Sequence, residues 1–306
     1  MTGHFTAMIG ALALSLALCS SPATARPAPA YEDHFAVNNG VRLHYVATGK
    51  GPLVIMLHGF PEYWGFYRGL MEELKGQYRV VAVDLRGYNL SDKPAGEAAY
   101  AMPILVSDVA SVIQAEGASK AIVIGHDWGA AIAWQVAMTR PDLVTRLVAM
   151  SVPHPAGFAR ELATDPVQQR NSQYARNFQI PGFEKNLTPE IFTQNAPADI
   201  KAEWTEALRK SDFTSLLNYY RANYPKNAGD ASALASSAPM PSITAPVLVI
   251  HGLKDAALQA GGHAGTWDHV TADTTLLMIP SAGHDVQHEA GDLVNRTIHD
   301  WLKARP

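Results

Sequence analysis

The 306 residues contain one cysteine, Cys19, so the chain can form no internal disulfide. Charge is missing from residues 1–25, which hold no Lys, Arg, Asp or Glu. Ile9 to Leu18 is an apolar run too short to span a bilayer, and Ala23-Thr24-Ala25 is a small-x-small cleavage pattern before Arg26. Together these predict a secretory signal peptide over residues 1–25, cleaved near Ala25, and a periplasmic or secreted product. Its positive end is sparse, with only His4 and the terminal amine. Leu18, in front of Cys19, argues against a lipoprotein site. Cleavage would remove Cys19 and leave a mature chain with no thiol for catalysis or metal binding. Blocks of like charge are also missing. The formal net charge of −4 is spread along the chain, without a basic stripe for nucleic acid or an acidic tail. There is no H-x-H or H-E-x-x-H spacing and no internal repeat. The expectation is a protein with no metal, no cofactor, no nucleic-acid partner and no stable membrane association.

What is present suits one large α/β core, since the chain is 47% hydrophobic. After a proline-rich tether over residues 23–30, His34 to Val46 alternates around Asn38-Asn39-Gly40, a hairpin signal. Leu53–Leu57 and Val80–Val83 are short continuous apolar runs, as expected of strands buried on both faces. Helical patterns follow at Trp64 to Lys75, Pro103 to Glu116 and Trp128 to Thr139, with a further strand at Arg146 to Ser151. From Pro153 to about Pro241 the pattern turns polar, aromatic and helical, notably at Asp199 to Lys210 and Phe213 to Tyr224, followed by a small-residue loop over Asn227 to Ser242. Strand character returns at Pro246 to His251 and Thr274 to Ile279, and a last helix spans about Asp285 to Lys303. This order predicts a mostly parallel sheet flanked by helices and interrupted by a helical insertion. The divisions are core over 31–152, cap over 153–242 and core again over 243–306.

Within that frame, Asp127 stands where an acyl-transfer enzyme carries serine. Gly125-His126-Asp127-Trp128-Gly129 follows an apolar strand and opens a helix, the setting of a nucleophile elbow. A carboxylate there suits displacement at saturated carbon, leaving an alkyl-enzyme ester that water must cleave. The chain order nucleophile, acid, histidine is completed by Asp255 and His284, each just after a strand, with Asp255 orienting the imidazole. Asp285 and His288 are the neighbouring alternatives, and read as solvated first-turn residues. The other acid position, after the strand ending near Ser151, holds a serine. Backbone N–H groups of Phe60, in His58-Gly59-Phe60-Pro61, and of Trp128 are candidate oxyanion donors in ester hydrolysis. His58 and His126 read as structural.

His58-Gly59-Phe60-Pro61-Glu62-Tyr63-Trp64, Asp84-Leu85-Arg86-Gly87-Tyr88, Gly125-His126-Asp127-Trp128-Gly129 and Gly283-His284 together resemble the epoxide hydrolases of the α/β-hydrolase fold. This is a carboxylate-nucleophile group that also includes haloalkane and haloacetate dehalogenases. The one departure is Asn89, where the loop after Arg86-Gly87-Tyr88 often has glycine. The resemblance implies an epoxide substrate, water as co-substrate and a diol product. It also implies two cap tyrosines that hydrogen-bond the opening oxygen: Tyr174, before Phe178-Gln179-Ile180-Pro181-Gly182, and Tyr220, in Asn218-Tyr219-Tyr220-Arg221. Tyr219 is the nearest alternative to Tyr220. Trp128, Phe60 and Phe178 are expected to line the substrate pocket. Phe158, Phe183 and Met150 suit either an apolar pocket or cap packing. Dehalogenation is the runner-up: Trp128 suits a halide contact, but Phe60 stands where haloalkane dehalogenases often place Asn. A non-catalytic binding protein is the third reading, and oligomeric state is not legible.

Overall fold

The computed structural model describes residues 31–227, 230 and 240–305. The segment read as a signal peptide, Cys19, and most of the loop over 227–242 lie outside these described residues. Strands β1 (Glu32–Asn38) and β2 (Val41–Gly49) form the expected antiparallel hairpin. Its turn residues Asn39 and Gly40 have φ of 47° and 82°, the left-handed pair a two-residue turn demands. Six further strands complete the sheet: β3 (Leu53–Leu57), β4 (Arg79–Val83), β5 (Ala121–His126), β6 (Val144–Met150), β7 (Val247–Gly252) and β8 (Thr274–Ile279). The spatial order is β1-β2-β4-β3-β5-β6-β7-β8. β2 runs antiparallel to β4, and every pair from β4 to β8 is parallel.

The continuous apolar runs are explained by cores on both faces. On β3, Leu53, Ile55 and Leu57 join one cluster while Val54 and Met56 join the other. Alternate side chains leave opposite faces, so a strand covered on both sides has no polar position to spare. Helices α1 (Arg68–Leu74), α2 (Met102–Ala115) and α3 (Trp128–Thr139) connect the early strands, the first preceded by a 3-10 turn at Trp64–Tyr67. Between β6 and β7 lie α4 (Pro155–Thr164), α5 (Pro166–Asn171), α6 (Gln173–Asn177), α7 (Pro189–Thr193), α8 (Ala198–Lys210) and α9 (Phe213–Asn223). Several start on side-chain caps: Asp165 accepts from Val167 N, and Asp212 from Ser215 N.

The last helix departs from expectation. It is two pieces, α10 (Val286–Glu289) and α11 (Gly291–Lys303), broken where Ala290 leaves helical geometry at φ −135° and ψ 33°. The break lets Glu289 fold back, its carboxylate accepting the N–H groups of Gly283 and Asp285 at 2.8 and 3.2 Å. The short piece therefore braces the His284 loop. Asn89, the departure from glycine, adopts φ 38°. Asn tolerates that region, and its amide donates to Asp84 at 2.8 Å.

Because most strands are parallel, the loops after β3, β5, β6, β7 and β8 open on the carboxyl edge of the sheet, the usual ligand side of such sheets. Glycines permit the close approach there. A methyl group on Gly129 would overlap the Leu57 carbonyl, and one on Gly125 would overlap the backbone of Gly129. Both contacts are with main chain, which cannot swing aside. Gly129→Ala is therefore expected to lower the unfolding free energy by about 2–3 kcal/mol, read as a lower urea midpoint at unchanged slope.

Candidate active site

Asp127 is the residue at which β5 ends and α3 begins, and its backbone takes φ 49° and ψ −120°. A non-glycine residue persists in that region only when its surroundings over-determine it. Here the restraint is the glycine-packed turn, and the result is a carboxylate aimed off the sheet edge. Asp127 Oδ1 accepts the Phe60 N–H at 2.7 Å, and Oδ2 lies 3.5 Å from His284 Nε2. On the other side of the ring, His284 Nδ1 donates to Asp255 Oδ2 at 2.7 Å. The remaining Asp255 oxygen accepts the N–H groups of Ala257 and Leu258 at 2.7 and 2.9 Å.

These three groups, distant in sequence, thus form one connected chain in space. Burial of the Asp255 carboxyl works against its ionisation, yet His284 and the two N–H donors outweigh this and hold it below the usual range. Burial likewise disfavours a charged imidazole at His284. The hydrogen bonds and charges of Asp127 and Asp255 overcome it and raise the group well above its ordinary value.

The His284 loop is held from behind by its own carbonyl. That oxygen accepts Ser151 Oγ at 2.5 Å and His126 Nε2 at 3.0 Å. Ser151, at the position where an alternative acid was sought, is therefore a brace. His126 completes a buried pair with Glu62, Nδ1 to Oε2 at 3.3 Å, and Glu62 also accepts the Gly59 N–H at 2.9 Å and Gln287 Nε2 at 2.8 Å. Burial opposes ionisation of Glu62, but the charge and hydrogen bond of His126, with the Gly59 N–H, bring it down to about 2. The same partnership raises His126 against its own burial. Reading the sequence passed over Glu62. Only its place two residues after the Phe60 donor hinted at a role. His58 is structural as expected, accepting the Leu85 N–H at 3.1 Å. Asp285 and His288 are exposed, and His288 also packs edge-on against Phe66 with ring centroids 4.5 Å apart.

Among the described residues, His126, His284 and Asp285 are the one grouping with three potential metal ligands within 4.8 Å. The nitrogens of His126 are already bonded to Glu62 and the His284 carbonyl, and those of His284 face the two aspartates.

A cavity of about 250 Å³ opens over Asp127. Tyr174 and Tyr220 line it together with Asp127 and Trp128, their rings 6.2 Å apart between centroids. Burial raises both phenols well above their usual range, with the nearby Asp127 charge adding to it, so both stay protonated donors. Tyr219 is excluded from this role: it is fully buried and donates to the Arg86 carbonyl at 2.8 Å.

Two pocket assignments need correcting. Phe60 and Phe178 do not line this cavity. Their rings pack against Tyr220 at 5.7 and 5.0 Å and against each other at 5.3 Å. The hydrogen bond directs the backbone of Phe60 at Asp127 and leaves its ring to support the phenol. Phe158 does line the cavity, whereas Phe183 and Met150 do not. Missed lining residues include Gln135 and Tyr224. Gln135 was legible in principle, because positions 127, 131 and 135 share one helix face.

With this geometry in place, comparison with known proteins is informative. A family model described as alpha/beta hydrolase fold matches residues 52–291. Epoxide hydrolase 3 of Xenopus tropicalis is 34% identical, over 87% of this chain and 76% of that protein. The AB hydrolase superfamily protein YfhM of Bacillus subtilis is 35% identical, over 88% of this chain and 97% of that one. A Bacillus megaterium epoxide hydrolase variant, solved with its diol product, superposes with a TM-score of 0.79 at 31% identity, covering 88% of this chain and 100% of its own. The chain belongs to the α/β-hydrolase family, on its epoxide hydrolase branch.

The contrast between adjacent tyrosines is directly testable. Tyr219→Phe strands the buried Arg86 carbonyl, and is expected to lower stability by about 1–3 kcal/mol, measured by chemical denaturation. The same substitution at Tyr220 removes no protein carbonyl's partner and should leave the unfolding midpoint nearly unmoved.

Proposed function

We propose that the protein hydrolyses an epoxide to a vicinal diol through an ester on Asp127. The observation that carries this reading is the placing of Asp127 between the Phe60 N–H and His284, in a cavity that also holds two protonated phenols. One carboxylate oxygen is held by a backbone donor, which leaves the other to attack an epoxide carbon. The carbon–oxygen bond of the ring breaks, and its electron pair moves to the departing oxygen. An alkoxide is too basic to leave unassisted at neutral pH. Tyr174 and Tyr220 donate to it and supply the proton.

Alkylation then changes the electrostatics of the base. With Asp127 charged, His284 is held between two anions and keeps a proton. Once Asp127 is an ester, one of those anions is gone, the imidazolium gives up its proton to the phenolate left by ring opening, and the neutral imidazole can then deprotonate water. Water adds to the ester carbonyl. The resulting oxyanion falls to the N–H groups of Phe60 and Trp128, while Asp255 stabilises the imidazolium. On collapse the departing diol oxygen takes the imidazolium proton, and the new carboxyl group returns its own proton to His284, which regenerates Asp127 with one oxygen from solvent. The paired phenols and the epoxide hydrolase relatives favour this chemistry over halide release or simple ligand binding.

Intact-mass spectrometry with a simple terminal epoxide tests the sequence of steps. Replacing His284 by Ala should let a covalent adduct accumulate at Asp127, and Asp127→Ala should show neither adduct nor turnover. Tyr174→Phe and Tyr220→Phe should each slow adduct formation about 100-fold. Absence of any adduct, or unchanged alkylation in both tyrosine variants, would overturn the scheme.

Export is part of the same reading, and rests on the uncharged, apolar residues 1–25. Terminal sequencing of the protein recovered from a secreting host should begin at Arg26. Recovery of the intact start in the cytosol would remove this part.

A further inference from the structure

The reaction cavity has a neighbour. Leu162, Tyr224 and Pro225 line both it and a second cavity of about 240 Å³ whose remaining wall includes Arg176 and Lys226. The two spaces differ in character. The first is walled by apolar side chains such as Ala131 and Phe158, and along α3 it extends from Asp127 to Gln135, about 12 Å at 1.5 Å per residue. The second presents two cations and no carboxylate.

Neither cation is neutralised by a carboxylate among the described residues. Arg176 donates Nε and Nη2 to Gln173 Oε1 at 3.1 and 3.0 Å, and Nη2 also to the Gln169 carbonyl. Among the described residues it has no acidic partner. Arg221, on the adjacent helix, has the more usual arrangement, with Nη2 on Glu184 at 2.6 Å. Lys226 is exposed, and its ammonium has no partner among the described residues. Asp230, the acid nearest to it in sequence, is occupied by the Lys226 backbone N–H at 3.1 Å and by Asn227 Nδ2 at 3.2 Å.

Tyr224 sits between the two spaces electrostatically as well as sterically. Burial pushes its hydroxyl up to about 12, Ser172 and Arg176 pull against this, and Asp127 adds to it. One residue therefore senses both the nucleophile and the guanidinium. Resting on the epoxide hydrolase reading, we propose that Arg176 and Lys226 form an anion subsite at the outer end of the reaction cavity. It takes the carboxylate of epoxides whose apolar body lies along Ala131 and Phe158. The tethers from Gln173 and Gln169 hold the Arg176 fork in place before substrate arrives, so little rotamer freedom remains to be lost on binding. A partly exposed pair of cations is screened by solvent, so the discrimination is modest and falls with salt.

The test is a matched pair of substrates: a long-chain terminal-epoxide carboxylic acid and its methyl ester, compared as kcat/KM for diol release. The wild-type protein should prefer the acid about tenfold at low salt, corresponding to about 1.4 kcal/mol. In the R176Q/K226Q double variant the acid-to-ester ratio should fall to about one, and Arg176→Lys should recover part of it. A merely structural role would depress both substrates alike and leave the ratio where it was. Equal use of acid and ester by the wild type, or a preference that survives the double substitution, would overturn the subsite. If neither compound yields diol, the epoxide reading fails. Calorimetry with the saturated carboxylic acid then judges the subsite alone, supporting it if binding is lost in the double variant and refuting it if binding is absent or unchanged.

Discussion

The constraint on which the molecule depends is the bend at Asp127. A carboxylate can act as a nucleophile only if it is held bare, off the strand end, and close to a base. The backbone reaches that position at a positive φ that an aspartate does not adopt freely. The neighbouring chain supplies the restraint: Gly125 and Gly129 let β5, α3 and the end of β3 approach until no side chain fits between them. The same closeness brings the Phe60 N–H onto the carboxylate. Strain, packing and the Phe60 hydrogen bond are consequences of a single turn.

Around that turn the charges are arranged as a chain, from Asp127 through His284 to Asp255. His284 lies between two carboxylates, and in the proposed reaction only Asp127 is chemically altered. On the proposed scheme, forming the ester removes the anion that keeps the imidazole protonated, so the base becomes available when there is an ester to hydrolyse. Asp255 cannot follow, because it is wholly buried and accepts two backbone N–H groups besides the histidine. Behind them, Glu62 and His126 form a second buried pair that supports the carbonyl of His284 and the N–H of Gly59. A buried pair contributes little to stability as such, and here its value is positional.

The cap works by division of labour between neighbours in sequence. On α9, Tyr219 and Tyr220 are consecutive and both buried, yet they point to different tasks. Tyr219 ties the helix to the Arg86 carbonyl, and Tyr220 lines the cavity over Asp127. Adjacent residues on a helix lie about 100° apart, so the docking angle of α9 decides which phenol lines the cavity. Phe60 and Phe178 then pack against Tyr220 and restrict its ring.

Much of this was legible from composition and order alone. The hairpin at Asn39-Gly40, the doubly buried strands, the elbow at Asp127 and the order Asp127, Asp255, His284 are local patterns, each set by backbone geometry or by which faces a strand buries. The break at Ala290 was not legible, because it answers to Glu289 bracing a loop and not to helix propensity. Nor was the lining of the cavity, since being aromatic and near a motif does not say which way a ring faces. The sequence by itself determined the order of the strands along the chain and the tight turn that carries Asp127, because apolar strand runs and a glycine-flanked turn are written in neighbouring residues. Only the tertiary structure decided that Glu62 pairs with His126, that Tyr220 faces the cavity, and that Phe60 contributes its N–H there while its ring does not. Those outcomes depend on how separate elements dock, and no run of adjacent residues encodes a docking angle.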